Sequence, residues 1–243
     1  GTCVTTSALA TIDEFDFFAT TGDALTLENR KTAQGVCDDC ATGGLSIGFT
    51  FKFDGTNYTT FGVSTNGLVA LGGTPTTSYS NSMPVTGVYL APLWDDLYPL
   101  SSIDYSTQGS PGQRVLVIDW NVRAYASTSW TIKFQTRLYE GSNKIEFWYG
   151  AQANGSSFSS SIGLSKASNN YGTVDVSDQA FEFTTANNNE PAPTSSTLYV
   201  FDNCRTTITG NVAQGGSQFM DQGDTLLQNV VIERGNNTSR MPF

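Results

Sequence analysis

Along residues 129–139 apolar and polar positions alternate. Trp130, Ile132, Phe134, Thr136 and Leu138 fall on one face of an extended chain, and Thr131, Lys133, Gln135 and Arg137 on the other. Strict alternation marks a strand with one buried face, so this stretch predicts a long strand whose second face meets solvent. Residues 140–143 turn it into 144–150, where Ile145, Phe147 and Tyr149 alternate with Glu146 and Trp148. Residues 46–53 repeat the pattern with Ile47, Phe49, Phe51 and Phe53, and Asp54-Gly55 turns them into 58–63. Asn66-Gly67 favours positive φ at both positions and predicts a tight hairpin over 63–71. Residues 88–93 form a nearly continuous apolar run, as a strand covered on both faces would. A further buried strand is predicted at 114–120.

Shorter strands are predicted at 161–164, 173–176, 180–183 and 197–201, and strand-like pieces at 14–19 and 24–29. Residues 72–85 read as a loop too polar for the core, and 187–196 as a long loop rather than a domain boundary. No window carries a 3.6-residue apolar period with caps. Many short strands joined by Gly, Ser and Asn turns predict an all-β fold, a jelly-roll-like β-sandwich of antiparallel strands. A closed barrel is the weaker alternative.

After Cys204 the character changes. A Gly-rich polar stretch leads into an apolar run at 225–233. The organisation predicted is a disulfide-bonded sandwich over 1–204 and a strand-bearing tail over 205–243, too short for a domain of its own. The tail packs on its own sandwich or adds as a strand to a neighbouring subunit, with Leu226, Val230 and Ile232 on the contact face. Repeated head to tail, the second arrangement builds an open filament.

Composition narrows the class. Aromatic residues reach 12% and charged residues only 14%, with a net charge of −10. That acidity argues against nucleic acid, which needs a basic surface, and no apolar run is long enough to span a bilayer as a helix. The chain starts at Gly1 without Met, and export through a cleaved signal peptide is the expectation. Cys3, Cys37, Cys40 and Cys204 allow three pairings. The pairing expected is Cys3–Cys204, clamping the ends of the domain, and Cys37–Cys40, stapling a loop. A redox or metal role for Cys37-Asp-Asp-Cys40 is the rival.

There is no His, which removes Ser-His-Asp and Cys-His catalysis and His-ligated metals. A carboxylate pair is what remains for an enzyme. Asp95, Asp96, Asp119, Glu140 and Glu146 are not singled out by spacing, and Asp95 is expected to bond backbone N–H groups where its strand ends. No enzyme activity and no cofactor are predicted. Acidic loops, among them Asp38-Asp39 and Asp95-Asp96, leave Ca²⁺ as a weak candidate ligand. Trp148 and Tyr171 are candidates for a glycan platform, while Trp120 and Trp130 are assigned to the core. Asn57, Asn154 and Asn236 lie in N-glycosylation sequons, and Thr225 in a short O-glycosylation triplet, Asp224-Thr225-Leu226.

The series IGFTFKFDGTNYTTFGVSTNGLVALGG (47–73), YLAPLWDDL (89–97), RVLVIDWNVR (114–123) and FQTRLYEGSNKIEFWYG (134–150) resembles a module of secreted, cell-surface proteins of Bacteroidota. Its order of motifs is also similar to the NIDO domain of nidogen-type extracellular proteins. The resemblance covers about two-thirds of the chain, from Gly48 to Cys204, and leaves 1–45 and 205–243 outside. It implies an exported β-sandwich used in adhesion or surface architecture, and supplies no catalytic residue. The function expected is a non-enzymatic structural or adhesive surface protein that assembles with itself or with other surface proteins. The alternative is a carbohydrate-binding module, with glycans as partners; a glycosidase on a jelly roll is a third reading.

Overall fold

The computed structural model describes residues 15–153 and 158–202, and the backbone of two-residue strands at 206–207 and 230–231. Among the described residues there is no helix. Numbered in chain order, one eight-stranded sheet runs β1 (Asp16–Thr21), β15 (Thr197–Asp202), β11 (Ile145–Gln152), β10 (Thr131–Tyr139), β9 (Val115–Ala124), β8 (Ile103–Gln108) and β2 (Lys31–Gln34), with β7 (Leu97–Pro99) also paired to β9. The second sheet, of seven strands, runs β14 (Ala180–Phe183), β13 (Asn170–Asp175), β12 (Ser161–Ala167), β6 (Tyr89–Trp94), β5 (Leu68–Leu71), β4 (Thr56–Ser64) and β3 (Ala41–Phe53). Every pair in both sheets is antiparallel. The predicted β-sandwich is the observed fold, with consecutive strands running as meanders inside each sheet. The loop over 187–196 returns the chain to the first sheet, where β15 pairs with β1 and sets Asp202 opposite Asp16.

The alternating runs place their apolar sets between the sheets. Ile47, Phe51 and Phe53 from β3 and Phe134 and Leu138 from β10 are fully buried. Trp120 stacks on Phe134 with ring centroids 5.1 Å apart. Each such side chain contributes about 1.5–3 kcal/mol by leaving water. The polar tips are bonded: the Trp120 indole N–H donates to the Ser64 carbonyl at 3.2 Å and the Tyr149 hydroxyl to the Pro92 carbonyl at 2.5 Å. Strand β6 is buried along its whole length, as its apolar run predicts.

The outer face of the first sheet departs from expectation. Gln135 and Arg137, placed on a solvated face by alternation, are 2% and 3% exposed. Residues 22–30, which include the strand-like 24–29, form a strap across that face instead of a strand. Side chains of the sheet hold it. The Gln135 amide accepts from Leu25 N at 3.0 Å and donates to Leu25 O at 2.8 Å, taking the place of a neighbouring backbone. Gln108 does the same with Glu28 N and Thr26 O, both at 3.0 Å. The Trp148 indole N–H donates to Gly22 O at 2.8 Å, and Arg137 donates to Asp23 O at 2.5 Å. Beneath the strap Arg137 pairs with Glu146 at 3.3 Å, and Lys144 and the Tyr139 hydroxyl each reach Glu146 at 2.7 Å.

Part of the second sheet is covered too, while alternate residues of β3 and β4 stay exposed. Loop 72–88 folds over β5, β6, β12 and β13, where Met83 and Val85 join Leu68, Tyr89, Trp94 and Tyr171 in a separate apolar cluster. The polar composition of this loop concealed that anchor.

Turn chemistry also sorts differently from expectation. Asp54 and Gly55 have φ of 46° and 78°, the two positive angles of a type I′ hairpin. At the Asn-Gly pair only Gly67 is positive, at 77°. Ser64 pairs with Leu68, so Thr65, Asn66 and Gly67 make a three-residue loop. A Cβ on Gly67 would lie 1.9 Å from the Leu93 carbonyl oxygen.

In the tail, β16 (Thr206–Thr207) and β17 (Val230–Val231) pair in parallel, which sets Val230 opposite Thr206 of its own chain. Cys3, Cys204, Asn154, Thr225, Leu226, Ile232 and Asn236 lie outside the described residues.

Removing Glu146 strands a buried guanidinium, a change that costs about 3–5 kcal/mol when one partner of a buried pair is lost. Glu146→Ala is expected to lower the stability measured by urea unfolding by that amount and to speed amide exchange in the strap. A loss under about 1 kcal/mol with unchanged exchange contradicts the role assigned to the pair.

Candidate functional site

One end of the sandwich gathers loops that are distant in sequence, and a single side chain joins them. Asn66 is fully buried. Its Nδ2 donates to Asp39 Oδ1 at 2.7 Å and to the Thr77 carbonyl at 2.9 Å, and its Oδ1 accepts from Leu97 N at 3.0 Å. Its backbone carbonyl accepts from Asp95 N at 3.3 Å. Beside it, Thr65 N donates to the Cys40 carbonyl at 2.9 Å, and Cys40 N donates to Thr65 Oγ1 at 3.0 Å. The Cys37–Cys40 disulfide closes the loop that carries Asp38 and Asp39. Tyr125 N donates to the Asp96 carbonyl at 2.8 Å and brings in the connection from β9 to β10.

Three carboxylates meet here. Single oxygens of Asp38, Asp39 and Asp96 lie within 4.8 Å of one another. Partial burial raises the pKa of Asp96, and the charges of Asp39, Asp38 and Asp95 raise it further. The sequence pointed to Asp95 and Asp96 as a pair, but the fold separates their roles. Asp95 accepts from Asp96 N at 2.8 Å and from Ser159 N at 2.9 Å, the backbone-capping role expected of it. Burial raises its pKa, and those two N–H groups oppose the rise. Asp96 turns instead toward the disulfide loop. The trio could supply three of the six to eight oxygens that Ca²⁺ takes. On the loops that meet here, Val36 directly precedes Cys37, Tyr79 lies just beyond Thr77, and Tyr125 bonds the Asp96 carbonyl through its backbone; the three side chains are 51%, 57% and 49% exposed. They are three of the five large apolar side chains most open to solvent among the described residues, and their grouping singles out this end.

The remaining candidates lie elsewhere. Tyr171 is buried in the outer cluster of the second sheet, and its hydroxyl donates to Thr184 O at 2.7 Å. No ring face is left open to a pyranose there. Trp148 is half-buried and anchors the strap. It also lines a cleft of about 230 Å³ with Leu25, Leu27, Arg30, Asp119, Lys133 and Gln135. Asn57 is exposed at the start of β4. Trp120 is core, and Trp130 packs against the core. Glu140 is held by Arg114 at 2.6 Å, and that hydrogen-bonded pairing pulls its pKa down to about 2.

Asp119 is the carboxylate that spacing did not distinguish. Strand register sets it between Asp104 and Gln135 in one transverse row under the strap. Desolvation raises its pKa to about 6, against the opposing pull of Arg30, Gln135 and Lys133. Only the pairing of β8, β9 and β10 reveals that row, and β8 carries no alternating signal strong enough to predict it.

An unfolded Asp ionises near pH ~3.9, whereas folded Asp119 keeps its proton to about 6. The folded state therefore binds the extra proton between those values. Stability falls as pH rises through that window, and the full cost is present above it. Asp119→Asn removes the cost. It is expected to be about 3 kcal/mol more stable than the parent at pH ~8, with the difference vanishing below pH ~4. Denaturant unfolding across that range checks it, and a pH-independent difference contradicts it.

Comparison with known proteins gives one match. No curated protein and no solved structure matches the chain. The family model described as NIDO related matches residues 14–203. Those bounds take in both sheets from β1 to β15 and include the 14–45 segment that the motif resemblance had left out. The chain belongs to the NIDO-related family.

Proposed function

We propose that this chain is a non-enzymatic extracellular module with a structural or adhesive role at a surface, and that its loop end makes the contact. The observation that carries the reading is the convergence on Asn66 and Asp96 of loops that carry three neighbouring carboxylates and the exposed Val36, Tyr79 and Tyr125. The strap and the 72–88 loop cover part of the two outer sheet faces, and the loop end keeps exposed side chains for a partner. A rigid base with exposed aromatic residues suits a contact surface, because Tyr buries a large area at low entropic cost. Membership of the NIDO-related family and the Cys37–Cys40 disulfide are compatible with an oxidising, extracellular setting. In this reading the tail over 205–243 contributes to self-association by strand addition to a neighbouring chain.

Beads coated with the full chain test it. They are expected to cluster, and Tyr79→Ser with Tyr125→Ser, or Val230→Asp with Ile232→Asp, should each cut clustering several-fold. Dispersed beads, or clustering indifferent to both double variants, contradict it.

A further inference from the structure

The cleft between the strap and the first sheet is distinct from the loop end and has its own chemistry. Its floor is the transverse row Asp119, Gln135 and Trp148, and the register of β8 to β11 continues that row to Asp104 beside it. Its wall is the strap, with Leu25, Leu27 and Arg30 among the lining residues. Most polar groups in it are committed. Gln135 is used on both sides by Leu25, and its Oε1 also accepts from Arg137 at 3.0 Å. Asp104 is taken by Arg30 at 3.3 Å and Thr32 at 3.1 Å. The Trp148 N–H is taken by Gly22. What the cleft still offers is the acceptor capacity of the Asp119 carboxylate beyond its bond with Gln135, the exposed Lys133 ammonium, the outer N–H groups of Arg30 and the apolar surface of Trp148 and the leucines.

We propose that this cleft binds one sugar residue, with Asp119 accepting from ring hydroxyls, Lys133 donating to them and Trp148 packing on the C–H face. A hydroxyl is the group that donates to a carboxylate and accepts from an ammonium at once, so a neutral polyol satisfies both signs without stranding either charge. A purely anionic ligand would meet Asp119, and a purely cationic one would meet Lys133 and Arg30. Size agrees: about 230 Å³ is below the ~300–1,000 Å³ of sites for drug-sized ligands and leaves room for a single ring. A Cβ at Gly150 would lie 2.7 Å from the Trp148 ring, so the ring lies close over that backbone and packs from its opposite side.

The charged neighbours of Asp119 are Arg30 from the strap, Lys133 from β10 and Asp104 from β8. The ionised carboxylate is the better acceptor, and its pKa near 6 makes binding strengthen as pH rises through that value.

The test uses the full chain labelled with ¹⁵N and titrated, at millimolar concentration and pH ~7.5, with glucose, galactose, mannose, N-acetylglucosamine and their β-linked oligomers. At least one is expected to shift the Trp148 indole N–H and the Gln135 side-chain amide. Shifts with a monosaccharide identify a free or terminal residue as the ligand, and shifts with an oligomer alone identify an internal one. Asp119→Asn and Lys133→Ala should each weaken the response at least tenfold while the spectrum stays folded, and the parent response should fall below pH ~6. No shift with any member of the panel, shifts confined to the loop end, or binding that survives Asp119→Asn overturns the proposal.

Discussion

The Asn66 carboxamide donates to Asp39 and Thr77 and accepts from Leu97, from a site with no exposure to water. An amide buried in this way must keep its partners, because a lost bond leaves a desolvated group unpaired at a cost of about 1–3 kcal/mol. The disulfide loop, the 72–88 loop and the link from β6 to β7 are therefore fixed to one another through one side chain. Gly67 completes the constraint, since its φ and its approach to the Leu93 carbonyl leave no room for a Cβ. Asp39 is held directly by this amide, and the loops that carry Asp96, Tyr79 and Tyr125 are tied to it through Leu97, Thr77 and the Asp96 carbonyl.

The rest of the sandwich shows how a β-protein with few charged residues covers itself. Two sheets bury their inner faces against each other, and each then covers part of its outer face with a connection from its own chain, while alternate residues of β3 and β4 stay exposed. On one side the covering is apolar, through Met83, Val85 and Trp94. On the other it is polar, through Gln135, Gln108 and the Arg137–Glu146 pair. The polar version leaves a seam in which Asp119, Lys133 and Trp148 meet, whereas the apolar version buries Tyr171. The two aromatic residues that looked equivalent in sequence thereby end in different environments.

Much of the fold was legible where burial is one-sided. Alternation located β3, β10 and β11, and the long apolar run located β6, because these patterns follow from which face meets the core. The strap was misread because Ala24, Leu25, Thr26 and Leu27 alternate like a strand. Their backbone is bonded by side chains instead of a neighbouring strand, and no local pattern encodes that. Strands β2, β7 and β8 carry no such pattern because they are short or polar, β7 and β8 taking their register from β9 and β2 from β8. Asn66-Gly67 was recognised as a turn, but the buried amide demanded a different loop from the one its dipeptide prefers. The loop end became visible only through contacts between residues tens of positions apart.

The measurement that bears most directly on this account is amide hydrogen exchange of Asn66→Ala against the parent. The account predicts that protection falls together at Cys40, Thr65, Asp95 and Leu97, while the core amides of β9, β10 and β11 keep theirs. Unchanged protection at those four positions would show that the loops hold themselves, and that Asn66 is not the joint on which the surface is built.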